Sequence, residues 1–487
     1  MNHSCYQGDR TPLPTRVIDV HTDTPFLHIS DGQKAPYMTL SHCWGGEQPH
    51  VTTTSTLQEN CRGIPMESFP ELYRDAVEVT RRLNIQYLWI DSLCILQDSK
   101  DDWLEEAAKM GDIYRHSYLT LYALSSPDCH HGMLLPRHGT SAAAAAAAAH
   151  GITNSNNHEI TKESVFQTAP LCKRAWALQE RLLSPRLLCY SDGEMFWECL
   201  TQTAREGNRR VVLRKATPYR YESFECPQVR DALVRPLDDN PSFPVSPPSD
   251  WQIIVSEYSR CRLTYRSDKL AALSGLANMF QRNTGYTYVA GMWIENLGYE
   301  LLWYCPIEQD TLQQDSGSDN DSFSKPSWSW ISTDFAVRFK ALGNMRDPSF
   351  QFIHMEGIDP APKENIDLTY VLTIKCEWYS VSIQIQSGSR LCTILDSNGR
   401  ERLASGILDA SDKTSSGPRS GAAILLRERL VRDMFYEAFD TSRHMTYLLV
   451  IVPAPRTAGG ECWRRIGLAW SAQDINHVRN SSLIRLV

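Results

Sequence analysis

Short apolar runs alternate with segments of helical period along the first 200 residues. Residues 37–41 read as a strand. In "ELYRDAVEVTRRLN" (71–84), Leu72, Ala76, Val79 and Leu83 recur at helical spacing behind Pro70, which suits a helix start. "QYLWID" (86–91) predicts a short buried strand, and "KDDWLEEAAKMGDIYRHS" (100–117) a helix whose acidic first turn complements its dipole. "YLTLYAL" (118–124) predicts a third strand, "CKRAWALQERLL" (172–183) a further helix, and 186–191 and 194–199 two more strands. This alternation predicts an α/β layer on a parallel sheet with right-handed crossovers.

Beyond 200 the pattern changes. "LTYRSDKLAALSGLANMFQ" (263–281) predicts a helix and the Trp-rich "VAGMWIENLGYELLWYC" (289–305) a second. From about 366 the apolar runs shorten to "LTYVLTIKCEW", "RLCTIL", "AAILL", "TYLLVIV" and "RRIGLAW", separated by polar loops, which predicts a β-rich region. Three stretches break the pattern: an Ala/Asn-rich insertion at 138–168, read as disordered, and loops at 225–250 and 306–326. The expected division is a tail at 1–14, an α/β domain at 15–200, a helical extension at 201–335 and a β-rich accessory region at 336–487.

Composition narrows the function classes. The 487 residues are 42% hydrophobic with a net charge of −8, so the basic footprint of a nucleic-acid binder is missing. The first twenty residues hold no apolar core of a signal peptide, and no run approaches the length of a membrane span, which predicts a cytoplasmic protein. The 14 cysteines are scattered and never spaced C-x-x-C, so reduced, mostly buried thiols are expected. "DCHH" (128–131) is an isolated cluster, and no metal site is expected.

Chemistry gathers at predicted strand ends. "YMTLSHCWGG" (37–46) ends a strand in Ser41, His42, Cys43 and Trp44 before two glycines, and a second strand ends at Asp91 and Ser92. Open α/β sheets collect sites at the carboxyl ends of strands. On 100–117, Trp103, Glu106, Ala107, Met110 and Tyr114 share or border one face, so Glu106 is either a helix-flank carboxylate paired to a base or a desolvated carboxylate in a cleft. On 172–183, Trp176, Glu180 and Leu183 share a face beside Gln179, which reads equally as a buried hydrogen-bond network with Arg174 and Arg181 as partners. Adjacent His42 and Cys43 point to opposite sides of an extended backbone, which argues against a Cys–His nucleophile. There is no G-x-S-x-G elbow, Walker loop or G-x-G-x-x-G after a strand.

Together, "YMTLSHCWGG", the run from "YRDAVEVTRRLN" through "GDIYRHSYLTLYA" and "CKRAWALQERLLSPRLLCYSDGEMFWEC" resemble the fungal heterokaryon-incompatibility (HET) domain. The resemblance covers about 37–200 well and 255–332 fairly. It implies a role in non-self recognition and regulated cell death, with self-association or another incompatibility protein as partner and no nucleic acid. Some such proteins accompany secondary-metabolite genes. The HET domain is in turn remotely similar to TIR domains, which implies a flavodoxin-like fold and, for some TIR domains, NAD⁺ cleavage by a helix Glu just after a Trp. The comparable pair here is Trp103 and Glu106, three residues apart rather than the four typical of TIR motifs. On that reading Glu106 is the catalytic carboxylate, Ser41, His42, Asp91 and Ser92 line a nucleotide cleft, and Trp44 stacks on a base. NAD⁺ would be a substrate, and expelling neutral nicotinamide needs no proton, so one carboxylate suffices. The alternative is a signalling and assembly module without catalysis.

Overall fold

A computed structural model describes residues 11–46, 50–134, 162–192, 194–200, 202–206, 208–213, 247–307, 325–340, 350–356, 371–386, 389–409, 419–431, 443–457, 460–471, 475 and 480–487. The chain forms two compact units, Met1–Phe243 with Cys261–Asn283 and Pro244–Arg260 with Thr284–Val487.

The first unit runs β1 (Arg16–Asp19), β2 (Phe26–Ile29), β3 (Tyr37–Ser41), α1 (Leu57–Arg62), α2 (Glu71–Arg82), β4 (Tyr87–Trp89), α3 (Asp91–Cys94), α4 (Lys100–His116), β5 (Leu119–Ala123), α5 (Lys162–Thr168), α6 (Ala175–Leu183), β6 (Arg186–Tyr190), β7 (Met195–Cys199), β8 (Gln202–Arg205) and β9 (Asn208–Leu213). Its nine strands form one sheet in the order β2-β1-β4-β3-β5-β6-β7-β8-β9. The four central strands are parallel. Numbered among themselves they stand 2-1-3-4, the doubly wound flavodoxin-like order, whose switch point lies beside the first of them, β3. The α/β expectation holds, with a correction at both edges: β1 and β2 flank the parallel core on one side and β7 to β9 on the other, all antiparallel.

Local chemistry explains the elements. Helix α2 starts after Pro70 and buries Leu72, Tyr73, Ala76, Val77, Val79 and Thr80. Helix α4 is capped by the Ser99 hydroxyl, which accepts from the Asp102 backbone N–H at 3.3 Å. Asp102 also takes the Arg16 guanidinium at 2.5 and 2.7 Å, tying the helix start to β1. The insertion expected over 138–168 ends in helix α5, and residues 135–161 lie outside the described residues. The helix expected at 263–281 is two 3₁₀ turns followed by an α-helix over Ser274–Thr284. Its Gly275 lies against Gly111 of α4 so closely that a Cβ on Gly111 would come within 2.7 Å of the Gly275 Cα.

The second unit departs from the helix expected at 289–305. Val289 and Met292 pair across a two-residue turn of Ala290 and Gly291, both at positive φ. That is the backbone of a hairpin turn, and it ends any helix there. Only Leu297–Glu300 is α-helical within this stretch, directly after a 3₁₀ turn over Ile294–Asn296. The indoles of Trp251 and Trp330 both donate to the Gly291 carbonyl, at 3.0 and 2.9 Å, and Trp303 donates to Trp328 O at 3.0 Å.

After the two short strand pairs β10 (Tyr288–Val289) with β11 (Met292–Trp293) and β12 (Trp303–Tyr304) with β13 (Arg338–Phe339) come β14 (Phe350–Glu356), β15 (Val371–Ile385), β16 (Leu391–Asp396), β17 (Arg402–Leu408), β18 (Arg419–Val431), β19 (Arg443–Thr457), β20 (Gly460–Ser471) and β21 (Asn480–Leu486). The β-rich expectation is met in a definite form. Strands β15-β16-β17-β20-β19-β18 pair antiparallel in sequence, and β18 returns to β15. This closed ring is a six-stranded barrel whose interior holds Val381, Ile394, Leu425, Leu448, Val450 and Ile466. Two glycines leave no room for a side chain against the neighbouring strand: a Cβ on Gly467 would lie 2.5 Å from Ile407 O, and one on Gly421 2.6 Å from Ile451 O.

Candidate functional site

The carboxyl ends of β3 and β4 build a buried polar cluster. Ser41 closes β3 and donates its hydroxyl to Glu180 of α6. His42 follows, buried, with Nε2 3.0 Å from the Tyr73 hydroxyl of α2, and that hydroxyl lies 2.7 Å from Ser92 Oγ. Asp91 accepts from its neighbour's backbone N–H on Oδ1 at 2.8 Å and from Trp44 Nε1 on Oδ2 at 2.8 Å. The Arg174 guanidinium donates to the His42 carbonyl and lies 5.8 Å from the centre of the Trp44 ring. Five of the seven residues named from the sequence therefore meet here: Ser41, His42, Trp44, Asp91 and Ser92. Trp44 and Arg174 stay half-exposed at its edge.

The turn that brings them together depends on Gly45. Its φ is +79°, and an added Cβ would come within 2.5 Å of Asp128 Cβ. Within "DCHH", Asp128 accepts from the His130 and His131 backbones and from the His131 ring, at 2.8 to 3.1 Å. The glycine thus lets the "SHCWGG" turn lie on a second turn that Asp128 organises.

Electrostatics sort the roles. Burial, reinforced by Arg174, pulls the His42 imidazole down to about 3. It is neutral at physiological pH, so its 3.9 Å approach to Asp91 is no ion pair. Burial pushes the Cys43 thiol up to about 11, which leaves no thiolate for nucleophilic work. Burial raises Asp91 above the usual carboxylate range, against the pull of Arg174. It carries Glu180 up to about 7, again against Arg174 and with Asp91 adding to the rise. Glu180 sits where one proton is readily gained or lost near neutrality.

Glu106 belongs elsewhere. It is buried on the inward face of α4, as its position in the helix period implies, and its Oε1 accepts from Thr15 Oγ1 at 2.7 Å and Lys109 Nζ at 3.0 Å. It is thus both paired to a base and desolvated, its Oε2 buried without a hydrogen-bond partner among the described residues, and neither Thr15 nor Lys109 belongs to the Ser41–His42–Asp91 cluster. The reason is β1: this short strand, unmarked by any alternation in "RVID", delivers Thr15 to α4. Thr15 and Lys109 also line a hollow of about 380 Å³ with Tyr37, Asp112, Ile113 and His116. Trp103 is likewise spent on packing, edge-to-face on Trp176 with centroids 6.3 Å apart. Gln179 accepts from the Gly275 backbone N–H at 2.8 Å.

Residues 37–180 match the family model described as heterokaryon incompatibility protein (HET). The chain carries a HET domain. The matched span begins at the first residue of β3 and ends at Glu180, which accepts from Ser41 at the far end of that same strand. No curated protein and no solved structure matches the chain.

Two residues of the HET cluster went unassigned in the sequence. Tyr73, which bridges His42 and Ser92, looks in "ELYRDAVEVTRR" like one more apolar position. Glu180 stood out as a carboxylate on a buried helix face, but nothing local pairs it with a strand 139 residues earlier. Among the described residues no group of three metal-ligating side chains gathers, and no helix is long and apolar enough to cross a membrane.

Proposed function

We propose that this chain acts in fungal heterokaryon incompatibility and that its HET domain transmits non-self recognition to cell death as a signalling and assembly module. One observation carries the reading: at the switch point the polar side chains are spent on one another. Ser41 is committed to Glu180, His42 to Tyr73, and Asp91 to Trp44 and the Ser92 backbone. Such a closed, buried network fixes a surface for contact with a second protein and leaves little for a substrate to hydrogen-bond. The partner is a second copy of this chain or another incompatibility protein.

One observation favours the catalytic reading that the TIR resemblance implies. Glu180 is a carboxyl near neutrality at the carboxyl end of the first parallel strand, where doubly wound sheets place their ligands. On this reading NAD⁺ lies across Trp44, and Glu180 rather than Glu106 stabilises the oxocarbenium-like ribose as nicotinamide leaves. A single experiment separates the two: purified full-length chain, dilute and cross-linked, is incubated with NAD⁺ and nicotinamide is measured. The module reading expects no release in either state, while Glu180→Gln and Glu106→Gln differ from wild type only in cell killing on expression. Release that Glu180→Gln abolishes and Glu106→Gln spares overturns it in favour of catalysis.

A further inference from the structure

We propose that Cys172 and Cys261 form an oxidisable pair, a modification site that peroxide converts to a disulfide. All twelve described cysteines are thiols, and nine of them are buried. Of the three with partial solvent access, Cys61, Cys172 and Cys261, two stand side by side. The Cys261 thiol donates to the Cys172 carbonyl at 3.5 Å. Their backbones are laced together one residue on: Arg262 N donates to Lys173 O at 2.6 Å, and Ala175 N to Arg262 O at 3.0 Å. These bonds make Arg174 and Arg262 a parallel bridge and hold the two cysteine-bearing segments in fixed proximity. The Cys172 sulfur lies 3.8 Å from the Tyr122 hydroxyl, while it is the Cys172 carbonyl that meets the Cys261 thiol, so the disulfide requires the Cys172 side chain to leave Tyr122.

The chemistry balances with a peroxide as oxidant. One thiolate attacks a peroxide oxygen, the O–O bond breaks, and a sulfenic acid forms with loss of one water. The second thiol attacks that sulfur, the S–O bond breaks, and a second water leaves. Two thiols thereby give up two electrons and two protons to one hydrogen peroxide, yielding one disulfide and two waters.

Position gives the bond a consequence. Cys172 lies in the 3₁₀ turn Leu171–Lys173, directly before Arg174, the residue that grips the His42 carbonyl. Cys261 opens the stretch that returns to the first unit. A disulfide here pins that return to the base of α6 and fixes the turn from which Arg174 reaches the strand-end cluster. The device holds whether or not that cluster is catalytic.

The test uses the full chain with Cys5 and Cys226 changed to Ser, so that only described thiols report. Stoichiometric hydrogen peroxide is added, remaining thiols are alkylated, and non-reducing peptide maps are read by mass. The expected product is a peptide pair joined through Cys172 and Cys261, absent in Cys172→Ser and in Cys261→Ser and kept in Cys61→Ser. Its thermal midpoint rises on the order of 5 °C above the reduced form, since the bond closes a long loop, and falls back on addition of dithiothreitol. Faster native alkylation of Cys172 and Cys261 than of the nine buried thiols supports the same site without relying on a variant. Sulfinic acid at either residue without the cross-link, or a disulfide that forms first at Cys61, overturns the proposal.

Discussion

Glu180 ties the pH behaviour of the HET domain to one proton. Its folded-state value lies near 7 against an ordinary 4.5, so the folded chain holds that proton more tightly than the unfolded chain does. The stability it contributes is full below about 4.5 and is lost as pH rises through about 7. At about 1.4 kcal/mol per unit, the loss across that window is at most about 3–4 kcal/mol. Glu180→Gln keeps an acceptor for Ser41 and cannot ionise, so urea melts of this variant should lose most of the slope between pH 4.5 and 7. An unchanged slope would place the titration on another group. Gly45 makes the second prediction at this scale. Gly45→Ala asks an L-residue to hold a φ of +79° with its Cβ against Asp128, at a cost on the order of 1–3 kcal/mol. Denaturant melts should show it, with the Trp44 fluorescence altered as the turn shifts.

Secondary-structure elements show how far a sequence can be read and where it stops. Helices α2 and α4 and strands β3 to β7 were legible because each carries a period or an apolar run long enough to stand alone. Strands β1 and β2 were not: each has four residues, β1 is buried throughout without alternation and β2 buries only Leu27, and they exist because β4 offers an edge to β1 and β1 one to β2. That one omission hid the partner of Glu106 and so its place in the fold. The stretch at 289–305 failed for the opposite reason. Its apolar residues look helical in spacing, yet Ala290 and Gly291 at positive φ turn it into a hairpin whose Gly291 carbonyl gathers two indoles. The candidate site was half legible, since residues that follow a strand advertise themselves locally and Glu180, held from a distant helix, does not. Helix crossing yields the prediction here. Gly111→Ala forces a methyl into the Gly275 backbone, and overpacking of that kind costs roughly 1–3 kcal/mol. Gly285→Ala, where nothing lies within 4 Å but φ is +70°, should cost about 1 kcal/mol through backbone strain alone. Chemical melts of the pair separate the two causes.

Across the whole molecule, each unit has its own apolar core: a doubly wound sheet in one and a closed barrel in the other. Within the second unit Arg465 is the central tie. Fully buried, it meets Asp409 at 3.1 Å, donates to the carbonyls of Leu301 and Trp303, and lies 3.5 Å from the centre of the Trp303 ring. Arg465→Met removes the guanidinium from the buried Asp409 carboxylate, and breaking a buried pair costs roughly 3–5 kcal/mol. Calorimetry should show one transition lowered and another unmoved, whereas both falling together would mean that the units unfold as one. The path of the chain matters as much as its cores. It leaves the first unit after Phe243, returns for Cys261–Asn283, and leaves again. The visiting stretch brings Gly275, whose amide donates to Gln179 Oε1 beside the strand-end cluster. A fragment cut at the last residue of the family match, or anywhere before that return, strips a helix from α4 and uncovers a buried amide. Toxicity lost on such trimming would report a damaged fold, so the shortest honest excision of this domain is a discontinuous one, spliced across the excursion.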